Sequence, residues 1–203
     1  MIDVVIHILN TSDLEGKDER LLPLIAPCYA EKYERMKVQR AKKDELGAGY
    51  LLYKVLGVSR DEQLTVGEHG KPRLNGQLVV EQGFTEFSLS HTDNYDILAV
   101  STEPVGVDIE RCDRLTLPVL KRVLPPGQYE KLAKTTDITE WAKAWTSIEA
   151  ALKADGRGFS VDPREDDLFM DKWHIESFLY ENEFMVSCAC REPFQVEIKP
   201  LIL

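Results

Sequence analysis

Two stretches of helical periodicity most constrain how this chain can fold: "QRAKKDELGAGYLLYKVLGV" (39–58) and "ITEWAKAWTSIEAALKADGRG" (138–158). They stand far apart, and each is set among short runs with strand periodicity. In the first, Leu46, Tyr50, Tyr53 and Leu56 recur at helical spacing; in the second, Trp141, Trp145, Ile148 and Leu152 form one apolar stripe that a glycine closes. A long amphipathic helix must bury its stripe, and a group of short strands offers the surface for it. The strand runs are 4–9, 87–91 and 95–101 around the first helix, and 104–110 with three more between 173 and 199 around the second. Glu181 and Asn182 read as the turn between the first two of those three. The segment 20–36 reads as helix broken at Pro23 and Pro27, 67–76 as a cluster of turn formers, and 124–134 as a turn followed by a short helix. Strands and helices do not alternate strictly, so the expected class is α+β with antiparallel sheet. The expected division is an N-terminal half, 1–102, and a C-terminal half, 103–203, each an antiparallel sheet packed with a long helix.

The chain has 203 residues, enough to bury a core without disulfide or metal staples. Its formal net charge of −10 argues against nucleic acid or an anionic membrane surface as a partner. No apolar run approaches the roughly 20 residues of a membrane span. Cys28, Cys112, Cys188 and Cys190 lack metal-site spacing and read as free structural thiols, so a reduced, cytoplasmic protein is expected.

The strand at 104–110 ends in chemistry. In "VGVDIERC" (105–112), Asp108 and Glu110 are two residues apart and share a strand face. Two carboxylates side by side repel, and a hard cation such as Mg²⁺ relieves that repulsion while keeping open positions for phosphate and water. A solvated strand end accounts for Asp-x-Glu alone equally well. On the second helix Glu149 and Lys153 sit four residues apart on the flank of the stripe, suited either to a cleft or to an ordinary surface ion pair.

Taken together, "GVDIE" followed by "WTSIEAALK" resembles the signatures of the 4′-phosphopantetheinyl transferases, particularly the surfactin-synthetase-activating type. "GKPRL", "FSLSHT" and a closing "DGRG" resemble further segments of that family and stand in its order; the resemblance covers roughly residues 35 to 160. It implies a pseudo-twofold pair of similar α+β halves with the active site between them. The implied reaction moves 4′-phosphopantetheine from coenzyme A to a serine hydroxyl of an apo acyl or peptidyl carrier protein, with Mg²⁺, releasing 3′,5′-adenosine bisphosphate. It implies Asp108, Glu110 and Glu149 as metal ligands, with Glu149 alternatively the base that takes the serine proton. Lys153 would neutralise phosphate charge, and Asp108, Glu149 and Lys153 form the implied catalytic set. Lys71, Ser90, His91 and Arg40 match positions expected to contact coenzyme A, with Arg35 a looser match; His91 also reads as a turn residue, and the arginines as a solvated helix start. A cytoplasmic monomer is expected. Carriers of fatty acid, polyketide and nonribosomal peptide synthesis all fit.

Two positions depart from the family pattern. Ile148 stands where a lysine is usual, and Gln128, in "PPGQYEKL", where a glutamate is common. These departures support an alternative, a catalytically weakened relative that binds coenzyme A or a carrier protein. A phosphohydrolase built on three acids is a third class, supported by the acids alone. The chain and the usual carrier are both acidic, so docking requires a local basic patch, for which Arg122, Lys131 and Lys134 are candidates.

Overall fold

The structure is a computed structural model that describes residues 2–76, 83–165 and 169–203. In chain order the elements are β1 (Ile2–Asn10), α1 (Asp18–Leu21), α2 (Pro27–Arg35), α3 (Gln39–Leu56), β2 (Leu64–Val66), β3 (Pro72–Leu74), β4 (Glu86–Thr92), β5 (Tyr95–Ser101), β6 (Val105–Arg111), α4 (Leu117–Leu120), α5 (Pro126–Leu132), α6 (Ile138–Asp155), β7 (His174–Tyr180), β8 (Phe184–Cys190) and β9 (Phe194–Leu201), joined in places by single 3-10 turns. The class is α+β.

The two long helices form where the periodicity places them. Each ends on a glycine in the left-handed region, Gly57 at φ 67° and Gly156 at φ 84°, the C-terminal stop that only glycine adopts without strain. The β7–β8 turn uses the predicted pair, Glu181 and Asn182, at φ 50° and 59°. The turn-rich stretch 67–76 holds more than turns, because Leu64–Val66 and Pro72–Leu74 pair as a short antiparallel ladder. Strands of three residues, one opening on proline, carry too little periodicity to read from sequence.

The same order, strand, long helix, edge strand, central strand, occurs twice. One sheet runs β4-β5-β1-β9 and the other β6-β8-β7; β5 lies between β4 and β1 as β8 lies between β7 and β6. These pairings are antiparallel. The last strand departs from the order, because β9 returns to the first sheet and pairs parallel with β1. It thereby takes the edge of β1 that corresponds to the edge of β6 left free for the site described below.

Alternation along the strands distributes the apolar residues into three cores. Val4, Ile6, Ile97, Val107, Ile109, Val186, Cys188 and Cys190 meet between the sheets. Leu9, Leu98 and Val100 join Leu46, Leu51 and Leu52 beneath α3. Ile148, Ala150, Ala151 and Leu152 of α6 pack with Met185 and Ala189 of β8. The molecule is thus layered helix, sheet, sheet, helix, and both thiols of Cys-Ala-Cys face inward, as period two requires. Cys28, Cys112, Cys188 and Cys190 are all free. Among the described residues, no helix is long and apolar enough to cross a membrane.

Candidate active site

The site lies on the seam between the sheets, where the free edge of β6 meets the inner face of β4. Side chains bridge this seam. Ser88 Oγ accepts the Val107 N–H at 3.1 Å, and Ser90 Oγ accepts the Ile109 N–H at 3.4 Å. Ser90 Oγ also donates to Asp108 Oδ1 at 2.7 Å, and Thr92 Oγ1 donates to Glu110 Oε2 at 3.2 Å. A row of hydroxyls at alternate positions of β4 therefore satisfies both the amides and the acids of the facing strand. Neither Ser88 nor Thr92 was singled out by sequence reasoning. The signal that could have found them is the two-residue period of "SLSHT", which puts all three hydroxyls on one strand face.

Gly106 brings the helix to the acids. It lies on the same face of β6 as Asp108 and Glu110, and α6 crosses there so closely that a Cβ would fall 1.9 Å from the Ala150 carbonyl oxygen and 2.4 Å from the Ala154 amide nitrogen. Lys153, one turn beyond Glu149, reaches back over the strand. Its Nζ is 2.7 Å from Asp108 Oδ1 and 2.8 Å from Ser90 Oγ. Lys153 thus pairs with Asp108 on the strand beneath it rather than along the helix, and reaches across the seam to Ser90. Asp108 is 4% exposed, so loss of Lys153 would leave a buried charge without its partner. The other Asp108 oxygen, Oδ2, is buried and has no hydrogen-bond partner.

Three acids converge and feel one another. Burial, then the Asp108 carboxylate, pushes the Glu149 carboxyl up to about 7, with Lys153 opposing and Glu110 adding to the rise. Burial and Asp108 likewise raise Glu110, against the Thr92 hydrogen bond and the charges of Lys153 and Arg114. A raised carboxyl pKa means that the folded protein holds the proton more tightly than the unfolded chain does. The stability this lends is complete below the ordinary value of 4.5 and is lost as pH rises to about 7. In EDTA, Glu149→Gln should therefore match the parent near pH 4 and exceed it at pH 8 by roughly 2 kcal/mol, reduced for partial exposure. Urea unfolding at the two pH values checks this; equal stabilities at pH 8 would contradict the burial of a charge there.

The other predicted contacts divide between two places. Lys71 and Lys153 line one cavity of about 250 Å³ together with His69, Ser88, Leu89 and Leu152. Lys71 donates to the Val105 carbonyl at 3.0 Å, and burial lowers its ammonium to about 8. Ser90, 7% exposed, is committed to the seam. His91 lies on the opposite strand face, directly across from Asp96 and 3.9 Å from Asp44 of α3. Burial raises both of those carboxyls. Arg40 lines a second cavity and pairs with Asp93 at 3.5 Å, where Arg111 and Arg114 also converge. Arg35 makes an exposed ion pair with Glu31 one turn away, the solvated reading of that residue.

The two departures from the family pattern fall away from the acids. Ile148 is 2% exposed in the core under α6, so a lysine there would be buried among apolar side chains rather than offered to a ligand. Gln128 is exposed on α5.

The arrangement suits a hard cation in part. The unpartnered Oδ2 of Asp108 is an orphaned acceptor on the face that carries Glu110, and carboxylate oxygens are the right donors. Among the described residues no three metal-binding side chains stand close enough together to enclose an ion. A site of this kind would hold Mg²⁺ through one or two carboxylates, with the remaining positions filled by water and a phosphate.

Comparison with known proteins bears on the same region. The model of the 4′-phosphopantetheinyl transferase superfamily matches residues 104–197, the span that holds β6 and α6. The chain is 24% identical over 146 residues to the 4′-phosphopantetheinyl transferase gsp of Aneurinibacillus migulanus, covering 70% of this chain and 58% of that protein. It is 27% identical over 157 residues to the 4′-phosphopantetheinyl transferase Sfp of Bacillus subtilis, covering 72% of this chain and 67% of that one. A putative 4′-phosphopantetheinyl transferase of Synechocystis is 33% identical over 110 residues, 48% of this chain and 41% of the relative.

Proposed function

We propose, since the chain belongs to the 4′-phosphopantetheinyl transferase superfamily, that it transfers the 4′-phosphopantetheine arm of coenzyme A to a serine hydroxyl of an apo carrier protein. The observation that carries this reading is the convergence of Asp108, Glu110 and Glu149 with Lys153 on one seam, beside a cavity that two lysines line. Three acids, among which the charge of Asp108 raises the other two carboxyls, with a lysine that reaches both Asp108 and the neighbouring cavity, suit a diphosphate and a proton acceptor better than they suit a structural salt bridge.

In this reading Lys71 and Lys153 bind the charged end of coenzyme A through charge-assisted hydrogen bonds. Asp108 and Glu110 would hold Mg²⁺, which would supply charge neutralisation to a bound diphosphate. Glu149, with its carboxyl raised to about 7, is populated in both forms near neutral pH and accepts the proton of the carrier serine. The serine oxygen forms a bond to the phosphorus that bears the pantetheine arm, the diphosphate P–O bond breaks, and 3′,5′-adenosine bisphosphate leaves. Lys153 offsets charge on the oxygens of the transferring group, and Ser90 holds it against Asp108. Arg122, Lys131 and Lys134, all exposed, offer charge to an acidic carrier. The pairing of the two α+β halves along a pseudo-twofold axis is part of the same proposal, supported by the repeated strand order. A monomer in the cytoplasm completes it.

The buried position of Ile148, in the core under α6, favours an active enzyme over a weakened binding relative. Chromatography of the nucleotide product tests the reading. 3′,5′-Adenosine bisphosphate should appear from coenzyme A and Mg²⁺ only when an apo carrier is added. Its release without an acceptor would point to a phosphohydrolase instead.

A further inference from the structure

A buried hydroxyl network joins α6 to β8 and β7. Asp108, Ser187 and Ser177 stand side by side across β6, β8 and β7. Ser187 is 0% exposed. Its Oγ lies 2.7 Å from Thr146 Oγ1 of α6, 2.9 Å from Ser177 Oγ and 3.5 Å from Ser147 Oγ. Thr146, also 0% exposed, in turn donates to the Ala142 carbonyl at 2.9 Å. Apart from Asp108, the network is flanked by core residues, with Ala142, Ile148, Met185 and Ala189 of α6 and β8 all buried in one apolar cluster. Alanine and valine would fill such a place without desolvating any hydroxyl, so packing alone does not require these residues.

Their geometry supplies a reason. The long helix touches the sheet at two specific points. At Gly106 the backbone of Ala150 and Ala154 sits directly on β6, a contact set by steric exclusion alone. At Ser187 the contact is directional, because a hydrogen bond fixes distance and angle where apolar surfaces can slide. Glu149 lies three residues beyond Thr146 and Lys153 seven, so both project from the segment between and just after the two contacts. We propose that Ser187 and Thr146 are positioning residues: their hydroxyl pair pins the axial register of α6 and thereby sets Glu149 and Lys153 over Asp108. This rests on the transferase reading only for its kinetic consequence; the placement of α6 stands apart from it.

The test uses three variants of the full chain. Thr146→Val keeps the shape and removes the hydroxyl, Ser187→Ala removes its partner, and Thr146→Ser keeps the hydroxyl. Displacement of a reacting group by about 1 Å can lower turnover by about 100-fold. Thr146→Val and Ser187→Ala should each lower kcat by about 10-fold or more while KM for coenzyme A changes by less than about threefold, and Thr146→Ser should restore most of the loss. Crystal structures provide the arm independent of activity: in Thr146→Val the Lys153–Asp108 contact should open, and in Thr146→Ser it should persist. An α6 in the same place in all three variants would overturn the proposal, as would equal kcat in Thr146→Val and Thr146→Ser. If the parent shows no transfer to any apo carrier, the transferase reading falls and the crystallographic arm alone decides the register pin.

Discussion

Replacing Gly106 by alanine is expected to destabilise the protein by about 3 kcal/mol or more, a fall in Tm of roughly 6–12 °C for a chain of this size. The added Cβ would stand 1.9 Å from a carbonyl oxygen and 2.4 Å from an amide nitrogen, both in the backbone of α6. Neither can swing aside as a side chain would, so the whole helix must lift from β6. That movement opens the core of Ala150, Ala151 and Leu152 and separates Lys153 from Asp108. Gly127 gives the contrast. Nothing lies within 4 Å of a Cβ placed there, and its backbone angles suit any residue. Gly127→Ala on α5 should leave stability unchanged or raise it by about 0.5 kcal/mol. Thermal unfolding of the two variants side by side checks both expectations. Equal Tm values would contradict the close seating of α6.

Asp108→Ala should have the largest effect on transfer, a loss of about 100- to 1000-fold in kcat/KM, the range seen when one preorganised charged contact is removed from a site. The loss has two physical parts. The variant lacks the carboxylate whose unpartnered oxygen suits a cation, and it leaves Lys153 with a single remaining hydrogen bond, to Ser90. The second part predicts a signature. Removal of the Asp108 charge, which is the second-largest cause of the rise in Glu149, should let the Glu149 carboxyl fall from about 7 toward its ordinary range. The acidic limb of any residual activity should then move to lower pH. Calorimetric titration with coenzyme A, with and without Mg²⁺, separates the parts: the parent should bind more tightly when Mg²⁺ is present, and Asp108→Ala should not respond to it. A variant that keeps both its response to Mg²⁺ and the parent's turnover would remove Asp108 from the site.

How much of this was legible in the sequence follows from the range of the interactions. The long helices, their glycine stops and the strands at 95–101 and 105–111 are local, and periodicity with capping residues reveals them. Asp108 and Glu110 are visible as a pair because strand geometry forces them to one face. Non-local pairings are not visible in this way. Nothing in "FQVEIK" says that β9 lies parallel to β1 at the far end of the chain, since an edge strand that carries Glu197 and Lys199 reads the same beside any partner. Ser90 and His91 read as one motif, yet alternation sends the first into the seam and the second toward Asp44. Lys153 reads as a helix partner of Glu149, and only the crossing at Gly106 turns it toward Asp108. Ile148 stands where a lysine is usual, yet it already reads as part of the apolar stripe, and in the folded chain that stripe binds α6 to its sheet.

The most direct test of the account is the intact mass of an apo carrier protein after incubation with this protein, coenzyme A and Mg²⁺. The account predicts a gain equal to one phosphopantetheine arm on the carrier, abolished by EDTA and by Glu149→Ala. An unchanged carrier mass across fatty acid, polyketide and nonribosomal peptide carriers, with coenzyme A still bound, would contradict it.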